Sequence, residues 1–238
     1  MSDDGATPNP LAPWGEGIWT VEGRSVPFLT VPYPTRMILV RLGDGALVVI
    51  SPIRLSDTDL AAVDAQGPVR HILSPNKIHH LFMGEWRDRY PEAKLYASPG
   101  LAEKRADLTF AAQLGDEPED AWARELDQTV LRGSVLMEEV EFFHKASRTL
   151  IVTDCIQRFD PKRFNLFHRL LMWANGLLGV HGGMPRDWRA SFTDHAAMRA
   201  SVEKMIAWDP ERIVIAHGMP VESGGADYLR DVFKWLLK

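Results

Sequence analysis

A chain of 238 residues that is 45% hydrophobic can form one large domain or two small ones, with ample apolar material for a core. Its net charge of −5, with no Lys/Arg cluster interleaved with aromatics, argues against nucleic acid as a partner. The single cysteine, Cys155, excludes an internal disulfide framework and fits a cytoplasmic protein more easily than a secreted one. The opening stretch "MSDDGATPNPLAPWGEG" is acidic, Pro-rich and without an apolar segment, so residues 1–16 read as a tail and not as a signal peptide or membrane anchor.

Three short runs follow, "GIWTVEG", "RMILVRL" and "ALVVISP", rich in β-branched and aromatic residues and separated by Gly, Pro and Asp. They read as consecutive strands, with "GDG" as a hairpin turn between the last two. "SDTDLAAVDAQG" opens with Ser56 three residues before Asp59 and closes at Gly67, the pattern of a capped helix. The spacing then predicts a strand over 71–74, a helix over about 80–90 stopped by Pro91, a strand over 94–97 and a helix from Pro99. From about Gln128 strands return in "TVLRG", "VLMEEVEFFH" and "RTLIVTD". Helical segments at 163–178 and 194–207 precede a strand "RIVIAHG" and a terminal helix "ADYLRDVFKWLL". The two halves have similar form, which suits two sheets packed face to face with helices outside.

Chemistry enters at the strand ends. "VRHILSPNKIHHLFMGEW" puts His79 and His80 side by side after a strand. Neighbours at a helix start point about 100° apart, so both cannot face one apolar layer, and a shared ligand is the alternative. His144 ends "VEFFH", Asp154 ends "TLIVTD" and His217 ends "RIVIAH". Each has an ordinary explanation alone, but five metal-capable side chains at the C-terminal ends of four strands suggest a common site. His71, His168 and His195 lack that placement; His181, in the Gly-rich "VHGGMPRDW", is the exception that a loop could bring near a pocket.

The order of these elements resembles the metallo-β-lactamase fold, an αββα sandwich of two mixed sheets with helices outside. "PNKIHHLFMGEW" and "FFHKASRTLIVTD" are similar to an uncharacterised family within it, over roughly residues 17–238 with a helical insertion around 160–195. The resemblance implies a motif H-x-H-x-D-H at Pro75 to His80, so Pro75 and Lys77 stand where two site-one histidines would be. His79 stands for the motif's aspartate and His80 matches its last histidine. His144, Asp154 and His217 match the later histidine, the bridging aspartate and the final histidine. Site one is then too poor in ligands, and site two is intact in number as His79, His80, Asp154 and His217. Those four imply one transition-metal ion, zinc rather than iron.

The implied activity is metal-dependent hydrolysis of a small-molecule ester, thioester, lactone or phosphoester, with His144 as proton shuttle and Lys77 stabilising an oxyanion. Two alternatives stay open: a catalytically degenerate relative that binds a small acidic ligand, and a mononuclear iron oxidoreductase. No nucleic-acid or membrane partner is expected. Phe164, Phe167, Leu170, Leu171, Trp173, Leu177 and Leu178 cover too much of a helix for one buried stripe, so the insertion offers an apolar surface for packing on the domain, for a homodimer, or as a lid on an apolar substrate.

Overall fold

A computed structural model describes residues 11–28 and 31–238. The large sheet has seven strands in chain order: β1 (Ala12–Gly15), β2 (Ile18–Phe28), β3 (Val31–Arg41), β4 (Leu47–Ile50), β5 (Val69–Leu73), β6 (Lys94–Ala97) and β7 (Ala112–Gln113). Its first four strands pair antiparallel and its last four pair parallel. The small sheet runs β11 (Arg212–Ile215), β10 (Thr149–Val152), β9 (Glu139–His144) and β8 (Leu126–Leu131). Only its β10–β11 pair is parallel.

Strict alternation along the strands builds the layers. Ile38, Val40, Val48 and Ile50 meet Val140, Phe142, Ile151 and Val214 in a core between the sheets. The intervening residues Leu39, Leu47 and Val49 face the opposite way. They pack under α1 (Asp57–Asp64) and α2 (Met83–Arg89), through Val63, Met83 and Trp86, with α3 (Leu101–Lys104) beside them. On the small sheet, Leu150, Val152, Ile213 and Ile215 face outward against α6 (His195–Ala207), α7 (Gly225–Val232) and α8 (Lys234–Leu237). Period-two side-chain direction with both faces apolar requires cover on both sides, and the result is an αββα sandwich. Arg36, buried, ties the sheets together at one end: its guanidinium meets Glu22 on β2 and donates to the carbonyl of Ile215 on β11.

The expected tail covers residues 1–16. Residues 1–10 lie outside the described residues, and Ala12–Gly15 already pairs with β2. The helix expected from His80 starts at Met83, because the preceding turn is organised by Asn76. The insertion between β10 and α6 holds a 3-10 turn at Pro161–Arg163, α4 (Leu166–Ala174) and α5 (Arg186–Arg189).

Candidate metal centre

Strand register places the site. Because β10 and β11 are parallel with Val152 opposite Ile215, Asp154 and His217 lie two residues beyond the same sheet end. On the facing sheet β4 and β5 are also parallel, Ile50 opposite Leu73, so Ser51 and the turn carrying His79 leave at that end too. Asp154 Oδ2 stands 3.0 Å from His79 Nε2, Asp154 Oδ1 stands 3.4 Å from His217 Nε2, and the two Nε2 atoms are 3.2 Å apart.

Each ring is aimed from behind. His217 Nδ1 donates to the Pro34 carbonyl at 2.7 Å, which fixes the ring with its Nε2 turned to the centre. His79 Nδ1 is 2.6 Å from Ser51 Oγ, and Ser51 holds a left-handed backbone, φ 58°, unusual for a residue with a Cβ. Burial alone would raise the Asp154 carboxyl. The two imidazoles more than reverse that and hold it well below the usual carboxylate range. Burial likewise would lower His217, and its hydrogen bond and charge interaction with Asp154 carry it above its ordinary value.

Asn76 is the hinge of the arrangement. Its Oδ1 accepts from the backbone N–H of Ile78 (2.9 Å) and His79 (3.2 Å), turning the chain after β5 as Asn side chains do. Its Nδ2 donates to Asp154 Oδ2 at 2.7 Å and Glu139 Oε2 at 2.5 Å. Glu139, fully buried at the start of β9, also accepts from the backbone N–H of Thr153, Asp154 and Cys155. Gln157 Nε2 donates to Asp154 Oδ1 at 3.1 Å. Glu139, Glu141 and Cys155 form a second group of ligand-type atoms within 4.8 Å of one another. It suits an ion poorly, since Glu139 is committed to these donors and burial, reinforced by Glu139, lifts the Glu141 carboxyl well above its ordinary range.

The donor set of the first group fits a transition metal. Ligands at 2.0–2.1 Å around a tetrahedral ion stand about 3.3–3.4 Å apart, close to the spacings found, and two imidazoles with one carboxylate suit zinc or iron. The group lies at the floor of a cavity of about 520 Å³ whose walls include Ile53, Phe82, Met137 and Trp188.

Three expectations about this site need correction. His80 lines the same cavity but is not in the cluster: its Nδ1 accepts from Arg105 at 3.0 Å, which leaves its proton on Nε2. Burial, with Lys104 and Arg105 adding, pushes its pKa down to about 4. The four-ligand set is therefore three among the described residues. His144 is at the wrong end. β9 runs antiparallel to β10, so His144 sits opposite Thr149, where β10 begins, roughly 15 Å along the strand from Asp154. There its Nδ1 meets Ser147 Oγ at 2.7 Å. Lys77 lies over Gly100, whose missing Cβ would come within 3.2 Å of its Cδ, and does not line the cavity. Lys104 is the lysine that does, donating at 2.7 Å to the Lys77 carbonyl. His181 is exposed and outside the cavity wall. The residues that the sequence reading overlooked, Pro34, Ser51, Asn76, Glu139 and Gln157, carried one signal: "EEVE" puts two acids two residues apart, on one face of a strand that otherwise reads as core.

Solved structures share this architecture. A metallo-β-lactamase from Hirschia baltica aligns over 97% of this chain and 98% of its own, with TM-score 0.63 and 14% identity. The metallo-β-lactamase TMB-1 aligns over 98% of this chain and 100% of its own, with TM-score 0.64 and 12% identity. Rubredoxin oxygen:oxidoreductase from Desulfovibrio gigas aligns over 95% of this chain and 61% of its own, with TM-score 0.64 and 10% identity. No curated protein sequence matches the chain. The fold is that of the metallo-β-lactamases, and a match over residues 15–169 makes the chain a member of the family described as domain of unknown function (DUF4336).

Proposed function

We propose that the chain is a hydrolase that uses one metal ion, zinc before iron, held by His79, Asp154 and His217. The observation that carries this is the trio of ligand atoms 3.0–3.4 Å apart at the floor of a cavity. Three protein ligands with an open position are the pattern of catalytic rather than structural zinc. An ion in such a site polarises a carbonyl or phosphoryl oxygen and lowers the pKa of its water toward ~7.

The chain's own residues supply the rest. Ser51 and the Pro34 carbonyl fix the two rings, and Asn76 and Gln157 fix Asp154. Neutral His80, with its proton on Nε2, replaces His144 as the imidazole available to a substrate in the cavity. Tyr33 stands edge-on to the His217 ring at 5.4 Å. Its hydroxyl stays protonated, because burial and the Asp154 and Asp187 charges raise its pKa. The largely apolar wall favours a small ester, thioester or lactone with an apolar body over a highly charged phosphoester.

The donor set favours one second reading. Two histidines and a carboxylate also hold mononuclear iron in oxidoreductases. Elemental analysis of protein purified without added metal is the test. About one ion per chain is expected, and Asp154→Ala with His217→Ala should leave none. Zinc with turnover of activated esters supports the hydrolase; iron without turnover supports the oxidoreductase. Two ions per chain, or an ion retained by the double variant, would overturn the site.

A further inference from the structure

Helix α4 is mounted the wrong way out. Of its nine residues only Met172 is buried, whereas α6 buries Met198, Ser201, Val202 and Met205. At about 100° per residue, Trp173, Leu166, Leu170, Phe167 and Leu171 share an arc of about 160° centred opposite Met172. They are correspondingly exposed: Leu166 by 82%, Trp173 by 68%, Phe167 by 61% and Leu170 by 60%. A helix that docks on its domain turns such an arc inward. Here the arc faces out, and it adjoins the candidate site. Asn175, which caps the helix, lines the cavity, as do the exposed Leu81 and Leu136 at its mouth.

Charge indicates what covers this face. Residues 160–192 hold five Lys and Arg against two Asp, in a chain of net charge −5. Lys162 and Arg163 precede the helix, Arg169 flanks the apolar arc, and all three are exposed and in no ion pair among the described residues. Arg186 is exposed at the other end, where it donates to the Ala174 carbonyl. In a two-fold pair of chains the same patch would face itself and bring these cations together. An anionic lipid surface instead takes the apolar arc into its acyl boundary and the cations among its headgroups, with Trp173 at the interface.

We infer that α4 and the rim of the cavity dock on an anionic membrane surface. From the sequence no membrane partner is expected, because no segment is long enough to span; among the described residues no helix is long and apolar enough to cross a membrane, but a helix lying in the interface needs no such length. Docking would set the cavity mouth beside the lipid, so amphiphiles partitioned there are the substrates it would reach. That consequence rests on the hydrolase reading; the docking itself does not.

Co-sedimentation of the full chain with lipid vesicles tests the docking without any activity assay. Vesicles of phosphatidylserine mixed with phosphatidylcholine should retain the protein, and vesicles of phosphatidylcholine alone should not. Changing Leu170→Asp with Trp173→Asp should weaken retention at least ~10-fold, since both leave the acyl boundary. Changing Lys162→Glu, Arg163→Glu and Arg169→Glu should weaken it ~100-fold or more, at about five-fold for each cation lost near the surface. All five positions are exposed, and an unchanged melting temperature would show that the fold survives. If the Asp pair lowers the melting temperature, Leu170→Ser with Trp173→Ser is measured in its place. Equal retention of the wild type and the charge variant overturns the inference. So does a wild-type dimer that ignores vesicles and becomes monomeric in the Asp pair, because the face would then belong to a second copy.

Discussion

Strand β9 carries a buried polar residue at each end, Glu139 and His144, and the two are held in different ways. Glu139 gathers Asn76 from the large sheet and three consecutive backbone N–H groups from the loop after β10. His144 bonds within its own turn, to Ser147 three residues away. One end is built from chain segments that the fold alone brings together; the other is built by its neighbours in sequence. Function gathers at the first kind of place, because a pocket needs side chains from several elements, whereas a satisfied local turn has no open valence.

The contrast is broken most directly by truncating each end. Glu139→Ala leaves a ring of buried donors unpaired and should cost about 3–5 kcal/mol in urea denaturation, at ~1–3 kcal/mol for each orphaned group with partial relaxation. His144→Ala removes a local bond and some packing and should cost about 1–2 kcal/mol. Metal content should be unchanged in properly folded His144→Ala protein. Equal costs at the two ends would mean that Glu139 is no hub.

The pH dependence of Glu141 sharpens the same contrast. Burial first, then Glu139, raises its carboxyl well above 4.5, so the folded chain keeps a proton that the unfolded chain sheds above about that pH. Its stabilising contribution is thus complete below pH 4.5 and declines as pH rises toward the folded value. The slope is about 1.4 kcal/mol per pH unit for one proton. In Glu141→Gln that slope should vanish, so the stability of the variant relative to wild type should climb as pH rises above about 5. Parallel curves for the two proteins would show that Glu141 is ionised in the fold.

The smallest expected effect is at Lys77. With its stem over Gly100 and its side chain off the cavity wall, Lys77→Ala should change stability by about 0.5 kcal/mol or less and leave metal content alone. Lys104→Ala, on the cavity wall, should alter binding of acidic ligands where Lys77→Ala does not. A larger effect at Lys77 would restore it to the site.

Much of the sandwich was legible in the residues. Runs of β-branched and aromatic residues marked most strands, Ser56 marked the start of α1, and the endings "HH", "TD" and "AH" marked three contributors to one sheet end. Strand direction was not legible. A histidine at the C-terminal end of a strand reaches the site only if that strand runs parallel to its partners, and nothing in "VEFFH" states that β9 runs the other way. His80 failed for a related reason. Adjacent imidazoles diverge, and the partner that claimed it, Arg105, lies 25 residues on. Asn76, Ser51 and Gln157 were hidden because short polar residues at strand ends are common, and only the fold shows which of them face a carboxylate or a ring.

The Pro34 carbonyl that orients His217 has a different standing from the Ser51 hydroxyl that orients His79. A main-chain oxygen is written into every amino acid, so no replacement at position 34 can delete it, whereas a single codon change removes the hydroxyl at 51. Of the two imidazoles, one is therefore insured against mutation and the other is exposed to it. Drift among descendants of this chain would reach the His79 side first, and new chemistry at this centre would most readily begin there.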